Sequence, residues 1–245
     1  MTITFVEIGI PFPLFEAPAD QASEYRGVAK CHLCRRDGQH CFQLDIDGGG
    51  ALMLPCPRCA VPNGLDANSR AAASCSACGA RIPFPDLADG GQLLICYACL
   101  RHGKAAMTKD TELGMISWEQ ALEGVTHGVP GLSRADFELV PREGGWIGAR
   151  LPKETMLELL RMPTYISIQG DRWQFCCRRP MIFMGTWGND DFARNAPDGD
   201  GRRLFDNIVR DPLPELWENT LHDTVGIYVF RCSSCQNLRS YWDIA

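Results

Sequence analysis

An α+β fold follows from three features of this sequence: paired cysteines crowd its first hundred residues, strand-like runs lie between the pairs, and helical patterns appear from about residue 111 onward. Five C-x2-C pairs are present: Cys31/Cys34, Cys56/Cys59, Cys75/Cys78, Cys96/Cys99 and Cys232/Cys235. Two thiolates separated by two residues turn back onto one metal ion and supply half of a tetrahedral site. These pairs use ten of the 13 cysteines, which points to bound zinc. The expected architecture is N-terminal zinc-ribbon hairpins followed by a small sheet packed by three to four helices. The expected divisions are 1–62 (N-terminal strand and first ribbon), 63–110 (a second, inserted ribbon) and 111–245.

Each element has a local reason. Thr2 to Ile10 reads as a strand, and Pro11, Pro13 and Pro18 forbid helix after it. Cys41–Asp47 alternates Phe42, Leu44 and Ile46, then Gly48-Gly49-Gly50 turns the chain into Ala51–Leu54. Pro62 to Ala73 reads as a linker. Arg81–Phe84, a Gly90-Gly91 turn and Gln92–Ile95 repeat the same hairpin design.

Ser117 and Gln120 have capping-box spacing, for a helix stopping near Gly128 and Pro130. Pro152 suits the first position of a second helix, whose Met156, Leu159 and Leu160 share one face. Tyr165–Gln169 and Met181–Met184 read as strands. Arg202–Val209 and Leu213–Leu221 read as helices. Gly226–Phe230 and Arg239–Trp242 form a strand pair around the last cysteine pair.

Residues between adjacent pairs number 21 (35 to 55), 15 (60 to 74) and 17 (79 to 95), close to the roughly 15–20 of zinc ribbons. Sequential grouping, in which each site closes its own hairpin, gives Cys31, Cys34, Cys56 and Cys59 as one site and Cys75, Cys78, Cys96 and Cys99 as the next. A cross-braced grouping of the first pair with the third is the rival. Such four-thiolate sites leave no position for water or substrate, so they hold structure and do not hydrolyse. Cys176 and Cys177 with Cys232 and Cys235 are a third candidate set, although adjacent cysteines strain the bite around one ion. Cys232/Cys235 with only one of the two, a redox-active thiol pair and a vestigial site are the other readings. Cys41 is the expected spare thiol. His32 and His102 sit beside ligands and are alternatives to one.

The net charge of -6 argues against a broad nucleic-acid surface and suits a basic partner. The short clusters Arg35, Arg36, Arg178, Arg179, Arg202 and Arg203 read as solvated surface. Met1 to Ile10 lacks a signal-peptide pattern, and no apolar run reaches the roughly 18 residues of a membrane span, so a cytoplasmic protein is expected. No HExxH helix, Walker loop, G-x-S-x-G or Rossmann fingerprint is present. His222 with Cys176 or Cys177 reads as structural, not as a base and nucleophile. Asp190, Asp191, Asp198 and Asp200 read as turn and loop residues. The expectation is a protein that is not an enzyme.

The stretch Tyr228, Phe230, Arg231, Cys232, Cys235 and Tyr241-Trp242-Asp243 resembles the C-terminus of the CbrC family, bacterial colicin-tolerance proteins. Glu158, Met162-Pro163, Gln169-Gly170, Trp173, Cys176-Cys177, Phe183 and Gly185 resemble its middle motif. Pro11-Phe12-Pro13-Leu14-Phe15 and Cys56-Pro57-Arg58-Cys59 resemble its start. The resemblance covers roughly 11–60 and 150–245, with about 62–150 standing as an insertion or replacement. Met181 lies where a further family cysteine is expected.

The resemblance implies protection against a bacteriocin and no catalysis. The partner it implies is a cognate protein toxin, a basic nuclease being one candidate. Trp187, Asp190, Asp191, Asp198 and Asp200 are the candidate contacts. A zinc-ribbon module that binds nucleic acid or regulates is the alternative. Elemental analysis is expected to find two to three zinc ions per chain, and Cys78→Ser to lower that count by one.

Overall fold

The computed structural model describes residues 3–44, 50–66, 73–83, 93–213, 215–220 and 224–245. The expected turns at Gly48-Gly49 and Gly90-Gly91, and His222, lie outside them. The described chain is α+β, as the sequence predicts: short antiparallel sheets, five α-helices and three cysteine clusters.

Three small sheets carry the N-terminal cysteines. Strand Gln39–Leu44 pairs on one side with Tyr25–Ala29 and on the other with Leu93–Cys96. Its partner in register opposite Cys41 is Cys96, 55 positions along the chain. Strand Ala51–Pro55 forms a hairpin with Pro62–Asp66 and also pairs with Ala105–Ala106. Pro62–Asp66 is therefore a strand and not the start of a linker. Its partner already presents the alternating Leu52 and Leu54, and a ladder satisfies its backbone groups. The third sheet is the two-residue hairpin Ala73–Ser74 with Arg81–Ile82.

Residues 5–9 turn where a strand is expected. The Glu7 carboxylate accepts from the Thr4 N–H (2.7 Å) and hydroxyl (2.8 Å), and this local closure competes with an extended chain. The folded segment inserts Phe5, Phe12 and Phe15 between two sheets. Phe5 and Phe12 lie 5.6 and 5.3 Å from the Phe42 ring, and Phe15 lies 5.2 Å from Phe183. One apolar core thereby runs from the first cysteine sheet to the C-terminal sheet.

That C-terminal sheet orders Ile182–Thr186, Val225–Arg231 and Leu238–Ile244 as antiparallel neighbours. Tyr165 stacks on Phe183 at 4.6 Å and sits 5.6 Å from Phe230, with Trp173 beside them, all buried. Of the expected strand Tyr165–Gln169, only Tyr165 makes a bridge, to Ala22. Ile168 and Gln169 donate instead to the Tyr228 hydroxyl (3.0 Å) and the Asp243 carboxylate (2.9 Å), so no ladder continues.

Helix α1 is Tyr97–Arg101, beginning at the fourth cysteine pair. Helix α2 is Trp118–Glu123, with the expected capping box at Ser117 and Gln120. It ends sooner than expected because Gly124, at φ 77°, takes the left-handed cap and donates to the Gln120 carbonyl at 2.7 Å. Helix α3 is Lys153–Leu160, with Pro152 at its N-cap and Met156, Leu159 and Leu160 buried.

Helix α4 is Asn189–Asn195 and α5 is Gly201–Ile208. Asp190 and Asp191 thus occupy a helical first turn and not a loop, where acidic residues favour the N-terminus. The described residues of 213–221 form turns in place of the expected helix. Trp187, Phe192, Phe205, Val209 and Leu216 build a second core against the outer face of the C-terminal sheet.

A buried charged group sits beside the main core. Lys109 is fully buried and donates to the Thr164 hydroxyl at 2.7 Å. Burial holds its pKa down against the nearby Glu24, Asp171 and Asp110. Asp171 is pushed up to about 7, chiefly by burial, which outweighs the pull of Lys109, and its Oδ2 is buried without a hydrogen-bond partner among the described residues. A carboxyl group whose folded pKa is raised contributes stability below its unfolded pKa and loses it as pH rises through the folded value. Asp171→Asn is expected to leave stability nearly unchanged near pH 4. It should stabilise the chain progressively up to pH 8, by at most about 4 kcal/mol for a shift of roughly three pH units. Urea denaturation of both proteins across pH 4–8 measures the difference.

Candidate metal centres

Every C-x2-C pair except the fourth lies at the tip of a hairpin. Cys31/Cys34 joins Tyr25–Ala29 to Gln39–Leu44, Cys56/Cys59 joins Ala51–Pro55 to Pro62–Asp66, Cys75/Cys78 joins Ala73–Ser74 to Arg81–Ile82, and Cys232/Cys235 joins Val225–Arg231 to Leu238–Ile244. The four tips share one backbone form. The residue after the second cysteine (Arg35, Ala60, Gly79 or Gln236) has φ between 59° and 70° and donates to the carbonyl of the first cysteine at 2.9–3.0 Å. The first cysteine's N–H returns to the next carbonyl along, at 2.8–2.9 Å. Each tip is thereby closed on itself with its two sulfurs on one side.

The tips meet in three sets of four. Cys31, Cys34, Cys96 and Cys99 form the first, Cys56, Cys59, Cys75 and Cys78 the second, and Cys176, Cys177, Cys232 and Cys235 the third, with all four sulfurs of each set within 4.8 Å of one another. Measured separations are 3.9 Å (Cys31–Cys99), 3.7 Å (Cys34–Cys96), 3.6 Å (Cys56–Cys78), 3.5 Å (Cys59–Cys75), 3.8 Å (Cys176–Cys177) and 3.6 Å (Cys176–Cys235). Four sulfurs held at about 2.3 Å from one zinc ion stand about 3.8 Å apart along each tetrahedral edge. A disulfide requires about 2.05 Å. All 13 cysteines are free thiols, and the sulfur spacing fits a metal ion.

The grouping is nested: first pair with fourth, second with third. It is neither the sequential nor the cross-braced arrangement. A pair at a hairpin tip cannot close the base of its own hairpin, so it must find a second element. The second and third tips meet head to head. The first tip meets the start of α1, where Cys96 is the N-cap, because the pairing of Leu93–Cys96 with Gln39–Leu44 carries it there.

The adjacent cysteines of the third set also have a geometric solution. Phe175–Cys176 and Arg179–Pro180 form a hairpin whose two linking residues, Cys177 and Arg178, have φ of 51° and 60°. Two left-handed residues in succession make a tight turn that ordinarily prefers asparagine and glycine. This backbone relieves the bite strain expected of neighbouring ligands and transfers it to the turn.

In each set at least one thiol is prepared for ionisation. Burial opposes the Cys34 thiolate, but hydrogen bonds from the Arg36 backbone and from Cys31, Cys96 and Cys99 outweigh it and bring the pKa to about 7. At Cys75, burial is outweighed by the N–H groups of Ala77 and Cys78 and by neighbouring thiols, to about 6. At Cys232 the N–H groups of Cys235 and Ser234 do the same, to about 7. A thiolate available at neutral pH starts metal capture, and the cation draws the remaining protons off. Cys41 stands outside all three sets, as expected of the spare thiol. It is buried, points its Sγ at the Ala29 carbonyl (3.7 Å), and burial together with Cys31, Cys96 and Cys34 pushes its pKa up to about 12.

Some positioning residues escaped sequence reading. Asn63 donates to the Val61 carbonyl (2.7 Å) and to Cys75 Sγ (3.6 Å) and accepts from the Ser76 N–H (3.0 Å), so it locks the two tips of the second set together. Glu112 accepts from the Phe175 N–H (2.7 Å) and from both Arg239 and Arg134, fastening the Cys176 hairpin to the C-terminal sheet. His32 belongs to no set. Its Nδ1 accepts from the Leu94 N–H (3.1 Å) and aligns the first tip with its partner strand. His102 caps the end of α1.

The proposed contact residues fall into two groups. Trp187 is buried in the second core against Phe192. Asp191 caps α4 and pairs with Arg194, Asp200 caps α5, and Asp198 pairs with Arg203, while Asp190 is exposed and unpaired among the described residues.

Residues 61–244 match the model of a family described as Uncharacterised protein family (UPF0167). The chain belongs to this family. It is the CbrC family, so the match agrees with the motif resemblance from 150 onward, while the motifs within 11–60 lie outside the matched span. The matched span takes in residues 62–150, which the motifs alone set aside as inserted. No curated protein and no solved structure matches the chain.

Double variants separate the groupings. Cys34→Ser/Cys96→Ser is expected to lose one metal ion, and Cys34→Ser/Cys56→Ser to lose two. Sequential grouping predicts the opposite, and native mass spectrometry counts the ions.

Proposed function

We propose that this chain is a cytoplasmic bacterial immunity or tolerance protein that binds and neutralises a protein toxin, with zinc in its three cysteine sets holding structure and performing no catalysis. The carrying observation is the donor set. Each cluster supplies four sulfurs from the protein itself, and a four-thiolate zinc has no open position for substrate or an activated water. A chain whose metal sites are closed in this way acts through its surface. Free thiolates ready for metal also suit a reducing compartment.

The charge distribution supports an acidic binding face. Between Asn189 and Thr220 there are eight acidic residues and four arginines, a net charge of -4 out of -6 for the whole chain. This segment contains α4 and α5, and it presents Asp190, Asp198 and Asp200 outward. A concentrated negative field of this kind steers a basic partner such as a nuclease toxin and blocks the surface that would hold phosphates. Trp187 contributes to this face from beneath, by packing α4 onto the sheet.

The test is protection of cells against any secreted basic protein found encoded beside this chain's gene, together with copurification of the two. Asp190→Lys with Asp198→Lys is expected to weaken binding at least tenfold and to abolish protection, with the metal count unchanged. Full protection by that variant would remove the acidic face from the proposal. Failure of the unaltered chain to protect, or to bind, would remove the toxin role.

A further inference from the structure

The three sets differ in how far they are closed to solvent. In the first, three of the four cysteines are buried and none is exposed. The second exposes Cys59 alone. The third exposes both Cys177 and Cys235, and only Cys232 is buried. The third set also opens onto a surface groove of about 700 Å³ whose lining includes Cys176 and Cys177. Its supporting turn is the one place where two consecutive non-glycine residues, Cys177 and Arg178, are left-handed among the described residues. Backbone of that kind persists only while the surroundings hold it, and two of the four sulfurs of the set sit on this turn or beside it. Exposure, a route of access and a strained support coincide at one cluster.

We propose that the third set is a peroxide-sensitive metal site at which Cys235 is the point of oxidation and Cys176 the resolving thiol. This rests on the reading that the set holds zinc. The exposed Cys235 thiolate takes one oxygen from hydrogen peroxide to give a sulfenic acid, and with one proton the second oxygen leaves as water. The Cys176 thiolate then attacks that sulfur. With a further proton, water departs and the Cys176–Cys235 disulfide forms. Two thiolates have lost two electrons, the peroxide has gained them, and Zn²⁺, left with two sulfur ligands, is released.

Geometry selects this pair. The two sulfurs are already 3.6 Å apart and come from different hairpins. Cys177 is adjacent to Cys176, and a disulfide between neighbours closes a strained ring. Cys232 is buried, with its Sγ held by the Ser234 N–H at 3.4 Å. Oxidation follows access, and the third set presents two exposed sulfurs where the first presents none and the second Cys59 alone.

The experiment uses the full chain as purified under reducing conditions. Native mass spectrometry first counts zinc. Dilute hydrogen peroxide is then added while a chromophoric chelator reports free zinc and maleimide labelling maps the remaining thiols. Three zinc ions at the start are expected, with one released at least tenfold faster than the others and a Cys176–Cys235 cross-linked peptide appearing in step. In Cys235→Ser, a starting count of two with no fast release is expected. First release from either other set, or simultaneous loss of all three ions, would overturn the proposal. A starting count of two, with all four thiols of the third set labelled before peroxide, would instead overturn the metal reading on which it rests.

Discussion

Sulfur atoms meeting at the tips of hairpins are the contact on which the N-terminal architecture depends. The strands that carry them are short: five residues in Tyr25–Ala29 and Ala51–Pro55, two in Ala73–Ser74 and Arg81–Ile82. A lone hairpin of that size is at best marginal in water, since its ladder does not offset the entropy of ordering the chain. Among the described residues, the third cluster of buried apolar residues consists of Cys56, Leu65, Cys75 and Ile82, two of which belong to the second set. Apart from the cysteines, the buried residues of that cluster are Leu65 and Ile82, so an ion bound by the second set would turn binding free energy into folding free energy there. The first set differs. Its Cys31, Cys96 and Cys99 are themselves part of the main core, beside Phe42, Leu44 and Ile95.

The difference fixes which parts of the chain tolerate loss of metal. The aromatic bridge of Phe5, Phe12 and Phe15 ties the first cysteine sheet to Phe183 and so to the C-terminal sheet. Contacts of this kind, with ring centroids about 5 Å apart and the rings fully enclosed, persist whatever the state of the sulfurs. Of the second set's hairpins, Ala51–Pro55 with Pro62–Asp66 is tied to the main core through Leu52 and Met53, whereas Ala73–Ser74 with Arg81–Ile82 has no comparable tie among the described residues. The third set lies between these extremes. Its tip grows from the long strands Val225–Arg231 and Leu238–Ile244, and the small hairpin of Cys176 is anchored through Glu112 and Arg239. The ladder of these strands does not depend on the sulfurs, so loss of a metal ion from the third set would alter one corner and spare the sheet.

Much of this was legible in the sequence because it is local. The cysteine pairs, the capping box at Ser117, the apolar face of α3, the stripe of α5 and the final strand pair are all set by residues within a few positions of one another. The ligand grouping was not legible, because it depends on the pairing of Leu93–Cys96 with Gln39–Leu44 across a gap that no local pattern spans. Only Gly79 advertises the left-handed residue that closes a tip. Arg35, Ala60 and Gln236 adopt the same conformation against their preference, so three of the four tips carry no such signal. Asn63 and Glu112 were missed for the same reason, their partners being 12 or more residues away. The exposed acidic segment was visible as composition, but that Trp187 lies under it and not on it required the second core.

Bound metal would also change the electrostatic account. Four thiolates around one Zn²⁺ leave a net charge of about -2 on the centre, so three such sites add about as much negative charge as the whole chain carries by formal count. Such centres are stable only where donors and cations face the sulfurs. N–H groups of Arg58, Ala77 and Ser234 reach Cys56, Cys75 and Cys232 at 3.4 Å, and that of Cys96 reaches Cys31 at 3.3 Å. Arginines adjoin every set in sequence: Arg35 and Arg36 follow Cys34, Arg58 lies between Cys56 and Cys59, and Arg178 and Arg179 follow Cys177. Clusters that read as ordinary solvated surface in the sequence thus stand where negative centres call for them. Their positive charge would then be matched locally, which leaves residues 189–220, at a net charge of -4, as the larger part of the chain's formal negative charge.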